Sequence, residues 1–395
     1  MGLKLLLGGS PCTHWSIAQT KNRETKAEGL GWELFLNYRL ARDKYQPDYF
    51  IYENNKSMSP AIRAQITEEL GVEPVLINSA LVSAQTRWRL YWVGKRNQDG
   101  TYSQVAVGQP LDRGIILRDI LEDTMAEKGY TLKPLSEREM DYVVGEHGKY
   151  SDRWTYLLKP GELDKACCVT ANICKGVPYN VCATPLRVGT IENDAKNQTF
   201  DSQQYRAYSP DAKSVTLCGN GGGLGAKTGL YAVPAGGSDG NVCPVYEVRD
   251  GFIAIKGAWY PIKLRDGCYI IRKLTVRECM RLQTVPETYV FPVSDSQAYK
   301  MLGNGWTVDV IAHLLRHFDG LTEEPVEVLS MYDGMSCGHI ALDKLGVDVA
   351  AYYATEIDKY AIQTTHHNYP NTIQLGDAFQ VRNPDWVLPR EEEKP

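Results

Sequence analysis

Cys12 follows Gly8-Gly9-Ser10-Pro11, which in turn follows the apolar run Leu3 to Leu7. A buried-strand pattern that runs into Gly-Gly-Ser-Pro puts a thiol at the carboxyl end of a strand. That is where open α/β sheets keep ligands and chemistry. A second apolar run ends in Glu53-Asn54-Asn55, and a third segment reads Gln85-Thr86-Arg87-Trp88-Arg89. A thiol, a carboxylate and two arginines at strand edges are the groups that covalent attack on a polar ring requires. Each residue alone has an ordinary explanation: a small buried thiol, a surface acid, a solvated strand face. Their shared placement at strand ends favours chemistry.

A second set lies near the other end of the chain. A strand over 326–331 leads into Tyr332-Asp333-Gly334-Met335-Ser336-Cys337-Gly338, followed by a helix over 339–345. A further strand over 349–355 ends in Glu356-Ile357, and a third near 372–375 ends in Gly376-Asp377. Strand, glycine turn, helix, then strand-end acid is a nucleotide-cofactor pattern. The turn here is Asp-Gly-x-x-x-Gly and not Gly-x-Gly-x-x-Gly, so no pyrophosphate has to sit on the helix N-terminus. That favours S-adenosylmethionine, with Glu356 placed for ribose hydroxyls and Asp377 for the adenine amino group. The glycine-rich stretch Gly219 to Gly225 lacks strand-loop-helix order and reads as a surface loop.

Rigid elements must position these groups. Alternation and turn signals predict strands over 3–8, 49–53, 74–78 and 89–94. Helices are expected over 30–44 and 59–70, the latter opened by Ser59-Pro60. Thr275 with Glu278 three residues on signals a capped helix start, and another helix follows over 306–317. Between these α/β stretches, 126–270 is rich in Gly, Asn, Ser and Tyr and reads as an irregular, β-leaning second domain.

Composition sets limits. The chain has 395 residues, 43% hydrophobic and 23% charged, enough to bury two cores. It holds no run of about eighteen apolar residues, so no membrane span is expected. Met1-Gly2-Leu3-Lys4 reads as the approach to a strand and not as a signal peptide. A net charge of −5 argues against indiscriminate coating of nucleic acid and leaves room for a local basic cleft. The ten cysteines read as free thiols. The tight group Cys167, Cys168, Cys174 and Cys182 lacks paired zinc spacing, so no metal is expected.

Together these motifs resemble the cytosine-C5 DNA methyltransferases. The family's Pro-Cys motif is similar to Pro11-Cys12, its Glu-Asn-Val to Glu53-Asn54-Asn55, and its Gln-x-Arg-x-Arg to Gln85 through Arg89. Its Arg-x-Leu-Thr-x-Arg-Glu-x-x-Arg-Leu-Gln motif is similar to Arg272 through Gln283, and its Gly-Asn motif to Gly303-Asn304. Its Phe-x-Gly-x-Gly loop resembles Tyr332 through Gly338 in altered form, with Tyr for Phe. The resemblance covers about 1–96 and 270–380. The order differs, because the family normally opens with the cofactor loop, and here that loop comes last. The resemblance therefore implies a circular permutation, cut between the third strand and the Pro-Cys strand, with the polar tail after 380 near Met1.

The resemblance implies an α/β fold, a Rossmann-like S-adenosylmethionine-dependent methyltransferase sheet with a smaller β-leaning target-recognition domain. The expected organisation is 1–125 as the catalytic half and 126–270 as the target-recognition domain. Helices at 271–322 return to the catalytic domain, 323–385 is the cofactor half, and 386–395 is a tail. It implies Cys12 as nucleophile, Glu53 at the N3 side of a flipped-out cytosine, Arg89 at its O2 side, and Arg87 positioning Glu53 or a phosphate. Implied cofactor contacts are Pro11, Asn304, Tyr332, Asp333, Gly334, Gly338, Glu356, Ile357 and Asp377. Implied DNA contacts are Ser16, Lys21, Arg23, Lys26, Gln85 and Arg272, the first four on a loop at 13–30 that closes over the base. The implied setting is the cytoplasm of a bacterium or phage-infected host, with duplex DNA as partner. A monomer is expected, either an orphan enzyme or the companion of a restriction endonuclease. The alternative is a catalytically silent DNA-binding homologue, marked by loss of Cys12, Glu53 or the cofactor loop, all of which are present.

Overall fold

β1 (Leu3–Gly8), β2 (Tyr49–Asn55), β3 (Pro74–Asn78), β4 (Trp88–Arg96) and the short β5 (Tyr102–Gln104) begin the chain. A second group follows: β6 (Arg187–Thr190), β7 (Arg206–Tyr208), β8 (Leu230–Pro234), β9 (Tyr246–Arg249), β10 (Phe252–Ile255), β11 (Ala258–Pro261) and β12 (Gly267–Arg272). β13 (Val326–Met331), β14 (Val349–Thr355) and β15 (Ile373–Gly376) come last. The helices are α1 (Gly29–Tyr45), α2 (Pro60–Leu70), α3 (Val276–Leu282), α4 (Asp295–Asn304), α5 (Val308–Leu315), α6 (Cys337–Lys344) and α7 (Lys359–Asn368). This computed structural model describes residues 2–16, 23–122, 187–190, 206–208, 213–215, 217, 230–234, 246–255, 258–261, 265–272 and 274–389.

The first sheet runs β15-β14-β13-β1-β2-β4-β3, with β5 added to β4. β15, β14, β13, β1 and β2 are parallel, and β4 is antiparallel to both β2 and β3. β13 and β1 pair in register from Leu3↔Val326 to Gly8↔Met331. Side chains alternate across a strand, and the two faces of this sheet are both apolar. Leu5 and Leu7 enter one core with residues of α3 to α6, while Leu6 enters another with α1 and α2. Helices therefore cover both faces, as a near-continuous apolar run such as Leu-Leu-Leu in β1 requires.

Local signals set the helix ends. Ser59 accepts from the Ile62 N–H at 3.3 Å, Pro60 starts α2, and Gly71 closes it at φ +74°. The Thr275–Glu278 capping box forms in both directions, at 3.1 and 2.8 Å. The helix expected over 306–317 is shorter, Val308–Leu315, because Trp306 and Thr307 form its approach.

The second sheet runs β11-β10-β9-β12-β8-β7-β6, antiparallel except for β7–β8. The β-leaning expectation for this region has its counterpart in these strands, whereas Gly219 to Gly225 and Cys167 to Cys182 lie outside the described residues. A short segment ties the region to the first sheet. The buried Lys213 ammonium donates to Ala80 O at 3.1 Å, Ser83 O at 2.8 Å and Ile115 O. Ser214 N–H donates to Ala84 O at 2.7 Å.

Met1 and 390–395 lie outside the described residues, so the expected proximity of the two ends does too. Up to residue 389 the chain is packed and not a free tail. Trp386 and Leu388 join the core beside α1, and Tyr353 donates its hydroxyl to Pro389 O at 3.0 Å. Among the described residues no helix is long and apolar enough to cross a membrane, and no His/Cys/Asp/Glu group could hold a metal.

Candidate active site

The chain leaves β13 through α6 toward β14 and leaves β1 through α1 toward β2, in opposite directions across the sheet. Neighbouring parallel strands whose connections diverge leave a crevice beyond their carboxyl ends, the usual ligand position in such sheets. The turn after β1 carries Pro11 and Cys12, and the turn after β13 carries Tyr332 to Ser336. Both motif sets noted in the sequence thus meet at one place.

Cys12 opens a 3-10 turn whose carbonyl accepts from Trp15 N at 3.1 Å and Ser16 N at 2.9 Å. Its thiol is pushed up by burial, while Arg89 pulls it down, Glu53 opposes, and Arg87 and a hydrogen bond from Asn55 pull it down again. Both arginines and the carboxylate are thus within electrostatic reach of the sulfur.

Glu53 is held on both oxygens. Arg89 Nε lies 3.0 Å from Oε1, and the Trp306 indole N–H donates to Oε2 at 2.9 Å. Gly9 makes room, since a Cβ there would lie 3.0 Å from Oε2 and 2.7 Å from the Glu53 carbonyl oxygen. Asn54 braces the neighbouring turn by donating to Ser10 O at 3.2 Å. Asn55, where the family's motif has an apolar residue, accepts from Ser57 Oγ at 2.6 Å and bonds the thiol.

Arg87 is turned toward the end of α4 and its exit. It donates to Gly303 O at 3.2 Å from both terminal nitrogens and to Gly305 O at 2.9 Å. It braces the loop between α4 and α5 and contacts Glu53 only indirectly. Gln85 is corrected. It is fully buried, accepts from Leu217 N at 2.9 Å, and donates to Leu282 O at 3.3 Å and Gln283 Oε1 at 3.2 Å. Both ends of its amide are satisfied inside the protein, so a DNA contact would first have to break this network.

The 13–30 loop is described at its two ends. Ser16 is 3% exposed and so does not offer a surface contact. Arg23 donates to Trp15 O at 3.2 Å and Ser57 O at 2.6 Å, clipping the loop to the segment after β2. Glu24 receives the Trp15 indole at 3.0 Å and Gly31 N at 3.1 Å. Lys26 is exposed, Lys21 lies outside the described residues, and Arg272 is described only as backbone at the end of β12.

On the cofactor side, Tyr332 and Ser336 adopt left-handed backbone, at φ +61° and +57°, around Gly334 at φ +60°. Tyr332 donates its hydroxyl to Leu34 O at 2.7 Å. Glu356 accepts from Gly334 N at 2.8 Å and from Ile357 N and Asp358 N at 2.7 and 2.8 Å, which fixes its carboxylate at the mouth of the turn. Ile357 beside it is 74% exposed, an apolar side chain left uncovered at a strand end. Asp333 accepts from Tyr352 Oη at 2.8 Å and from Ser336, and burial raises its carboxyl to about 6. Asp377 accepts from Phe379 N at 2.9 Å and is exposed, as are Pro11 and Asn304. Gly338 is a packing position: a Cβ there would meet Leu7 Cδ1 at 2.8 Å and Tyr352 Oη at 3.1 Å. Cys337 and Cys279 are buried, and burial raises the Cys337 thiol to about 12.

Sequence reasoning missed Trp306, Gln283 and Tyr352. Trp306 follows Gly303-Asn304-Gly305 directly, and a tryptophan in a glycine turn between two helices was the available signal. Gln283 closes the Arg-Leu-Gln motif and donates to Leu302 O at 2.6 Å.

The sequence profile of the family described as C-5 cytosine-specific DNA methylase matches residues 2–319. The type II methyltransferase M.HhaI of Haemophilus parahaemolyticus is 30% identical over 321 residues, 78% of this chain and 74% of that protein. M.HpaII of Haemophilus parainfluenzae is 25% identical over 321 residues, covering 78% and 69%. The orphan methyltransferase M.SPRI of Bacillus phage SPR is 24% identical over 378 residues, covering 79% and 81%.

Proposed function

Since the chain belongs to the C-5 cytosine-specific DNA methylase family, we propose that it methylates C5 of a cytosine flipped out of duplex DNA, using S-adenosylmethionine. The observation that carries this reading is the meeting of Cys12, Glu53 and Arg89 with the Tyr332–Ser336 turn at the crevice between β1 and β13.

The crevice suits the cofactor. Glu356 presents a fixed carboxylate for ribose hydroxyls, Ile357 an uncovered apolar surface for a ring, and Gly334 an open approach with nothing within 4 Å of a Cβ. Asp377, Tyr332, Asp333, Pro11 and Asn304 border the same site. When bound, S-adenosylmethionine supplies an electrophilic methyl group on sulfonium.

Cytosine C5 is a weak nucleophile until C6 is attacked. The Cys12 thiol gives its proton to solvent, and the thiolate forms the sulfur–C6 bond as ring electrons shift toward N3, which leaves C5 enamine-like. Arg89 and Arg87 favour the thiolate. Glu53 faces N3 and the exocyclic amine and passes a proton to N3 as the ring is attacked, which neutralises the negative charge that the attack would otherwise leave on the ring. Arg89 fixes Glu53 and lies toward the O2 edge. Release of Cys12 would then require loss of the C5 proton to solvent, with the C–H electron pair reforming C5=C6 as the sulfur leaves as thiolate. A base stacked in duplex cannot reach this sulfur, so the base must be extruded. We assign 126–270, with its second sheet, to target recognition, where polar side chains read major-groove edges.

We further infer a permuted arrangement. The family profile ends at residue 319, yet β13, β14 and β15 complete the sheet beside β1, which supports a cofactor half moved behind the catalytic half.

The test is incubation with plasmid DNA and S-adenosylmethionine, followed by base-resolution mapping, with Cys12→Ser alongside. The expected result is 5-methylcytosine in one short motif, absent with Cys12→Ser. A wild-type protein that binds DNA and cofactor but leaves no mark would refute the catalytic reading and favour the silent binding homologue.

A further inference from the structure

We infer that Trp306 is a positioning residue for Glu53, and that the segment Leu302 to Trp306, the end of α4 and its exit, is built to aim it. This rests on the methyltransferase reading above.

A glutamate at a strand end has three rotatable bonds and ordinarily samples several rotamers. Here the carboxylate has one donor on each oxygen, Arg89 Nε on Oε1 and the Trp306 indole on Oε2. Two donors on separate oxygens fix the carboxylate plane as well as its place. An ionised carboxylate offers about four acceptor sites, so lone pairs remain for the amine of a base.

The loop carrying Trp306 is itself held by its carbonyls. Arg87 takes Gly303 O and Gly305 O. Gln283 takes Leu302 O at 2.6 Å, and accepts in turn from Gln85 Nε2 at 3.2 Å and Thr307 Oγ1 at 2.9 Å. Gly305 is hemmed in, with a Cβ there placed 3.1 Å from both Cys337 Sγ and Met301 O. The Trp306 backbone N–H meets the Cys337 sulfur at the start of α6. One residue therefore touches the first turn of the cofactor-side helix with its backbone and the catalytic carboxylate with its side chain. This gives Arg87 a defined role, since it acts on Glu53 through the loop that presents the indole.

The test uses Trp306→Phe, which keeps an aromatic ring and removes the donor. Single-turnover methylation and steady-state kinetics are compared with wild type, Glu53→Gln and the double variant. The expected result is a fall in kcat of about tenfold, the order for one hydrogen bond to a charged group. KM for DNA and Kd for S-adenosylmethionine stay within about twofold. In the double variant the loss is no greater than in Glu53→Gln alone, because both changes act on one group. Melting curves of Trp306→Phe check that the fold is intact. Unchanged kcat, a weakened cofactor Kd that accounts for the whole loss, or multiplicative losses in the double variant would each overturn the role. A wild-type protein without activity would overturn the methyltransferase reading instead, so the two failures are distinct.

Discussion

Replacing Gly338 by alanine separates two roles for the last glycine of the cofactor-side motif. The new Cβ would sit 2.8 Å from Leu7 Cδ1 and 3.1 Å from Tyr352 Oη. Carbon pairs settle at about 3.5–4.0 Å, so one partner must yield by roughly 0.7–1.2 Å. Leu7 is fully buried in a central strand, and the Tyr352 hydroxyl is committed to Asp333 at 2.8 Å. Overpacking of this kind costs about 1–3 kcal/mol, while alanine in place of glycine inside a helix returns about 1 kcal/mol. The net expectation is a loss of up to about 2 kcal/mol. Urea unfolding of Gly338→Ala beside wild type measures it, and calorimetric titration with S-adenosylmethionine reads the cofactor side. The packing role predicts lost stability with affinity reduced less than tenfold, through displacement of Tyr352 and Asp333. A variant as stable as wild type whose affinity collapses would refute it and make Gly338 a direct contact.

Two further predictions concern buried polar groups. Gln85→Leu takes the acceptor from the Leu217 N–H, while Gln283 Oε1 keeps the Thr307 hydroxyl, so urea unfolding should show a loss of about 1–3 kcal/mol. The salt dependence of its DNA affinity should match wild type, because no phosphate contact is removed. For pH, Asp333 is raised to about 6 by burial and His339 is lowered to about 4 by burial. The folded Asp333 binds more protons than the unfolded one, so its contribution falls as pH rises from about 4 to 6. The folded His339 binds fewer, so its contribution rises from about pH 4 to 6.5. Each slope totals roughly 3 kcal/mol, and the two oppose. Relative to wild type, Asp333→Asn should make stability rise more steeply with pH across this window and His339→Gln should make it rise less steeply, and equal slopes in wild type and both variants would refute the assignment.

Much of the catalytic sheet was legible because its signals are local. The runs 3–8, 74–78, 326–331 and 349–355 have the bounds that periodicity and punctuation predict, and Ser59-Pro60 and Thr275–Glu278 cap helices through neighbours three residues away. The motifs also marked which turns would converge, because strand-end position is a local property. What each side chain touches was less legible, because that depends on tertiary partners. Arg87 and Arg89 are two apart and read alike in sequence, yet Arg89 in β4 reaches Glu53 and Arg87 just before it reaches the carbonyls of Gly303 and Gly305. Gln85 reads as a polar residue fit for a base edge until the fold buries it against Leu217 and Gln283. Gly338 reads as a cofactor glycine until Leu7 and Tyr352 are set beside it. Trp306 meets a carboxylate carried by a strand from far along the chain, which no window of sequence contains.

The pairing of Leu3 with Val326 has a consequence for how the protein is made. β1 and β13 are adjacent in the middle of the sheet but belong to distant parts of the polypeptide. At about 5–20 residues per second, roughly 15–60 s of synthesis separate them. During that interval the nascent chain carries a strand with the apolar run Leu5-Leu6-Leu7 and one edge unsatisfied, and such edges pair readily with other strands. Contacts of this sequence separation also place the protein among slow folders. The yield of active protein is therefore set by what shields Leu3–Gly8 on the ribosome. Slower growth or a bound chaperone should raise soluble yield without changing the specific activity of the molecules that finish folding.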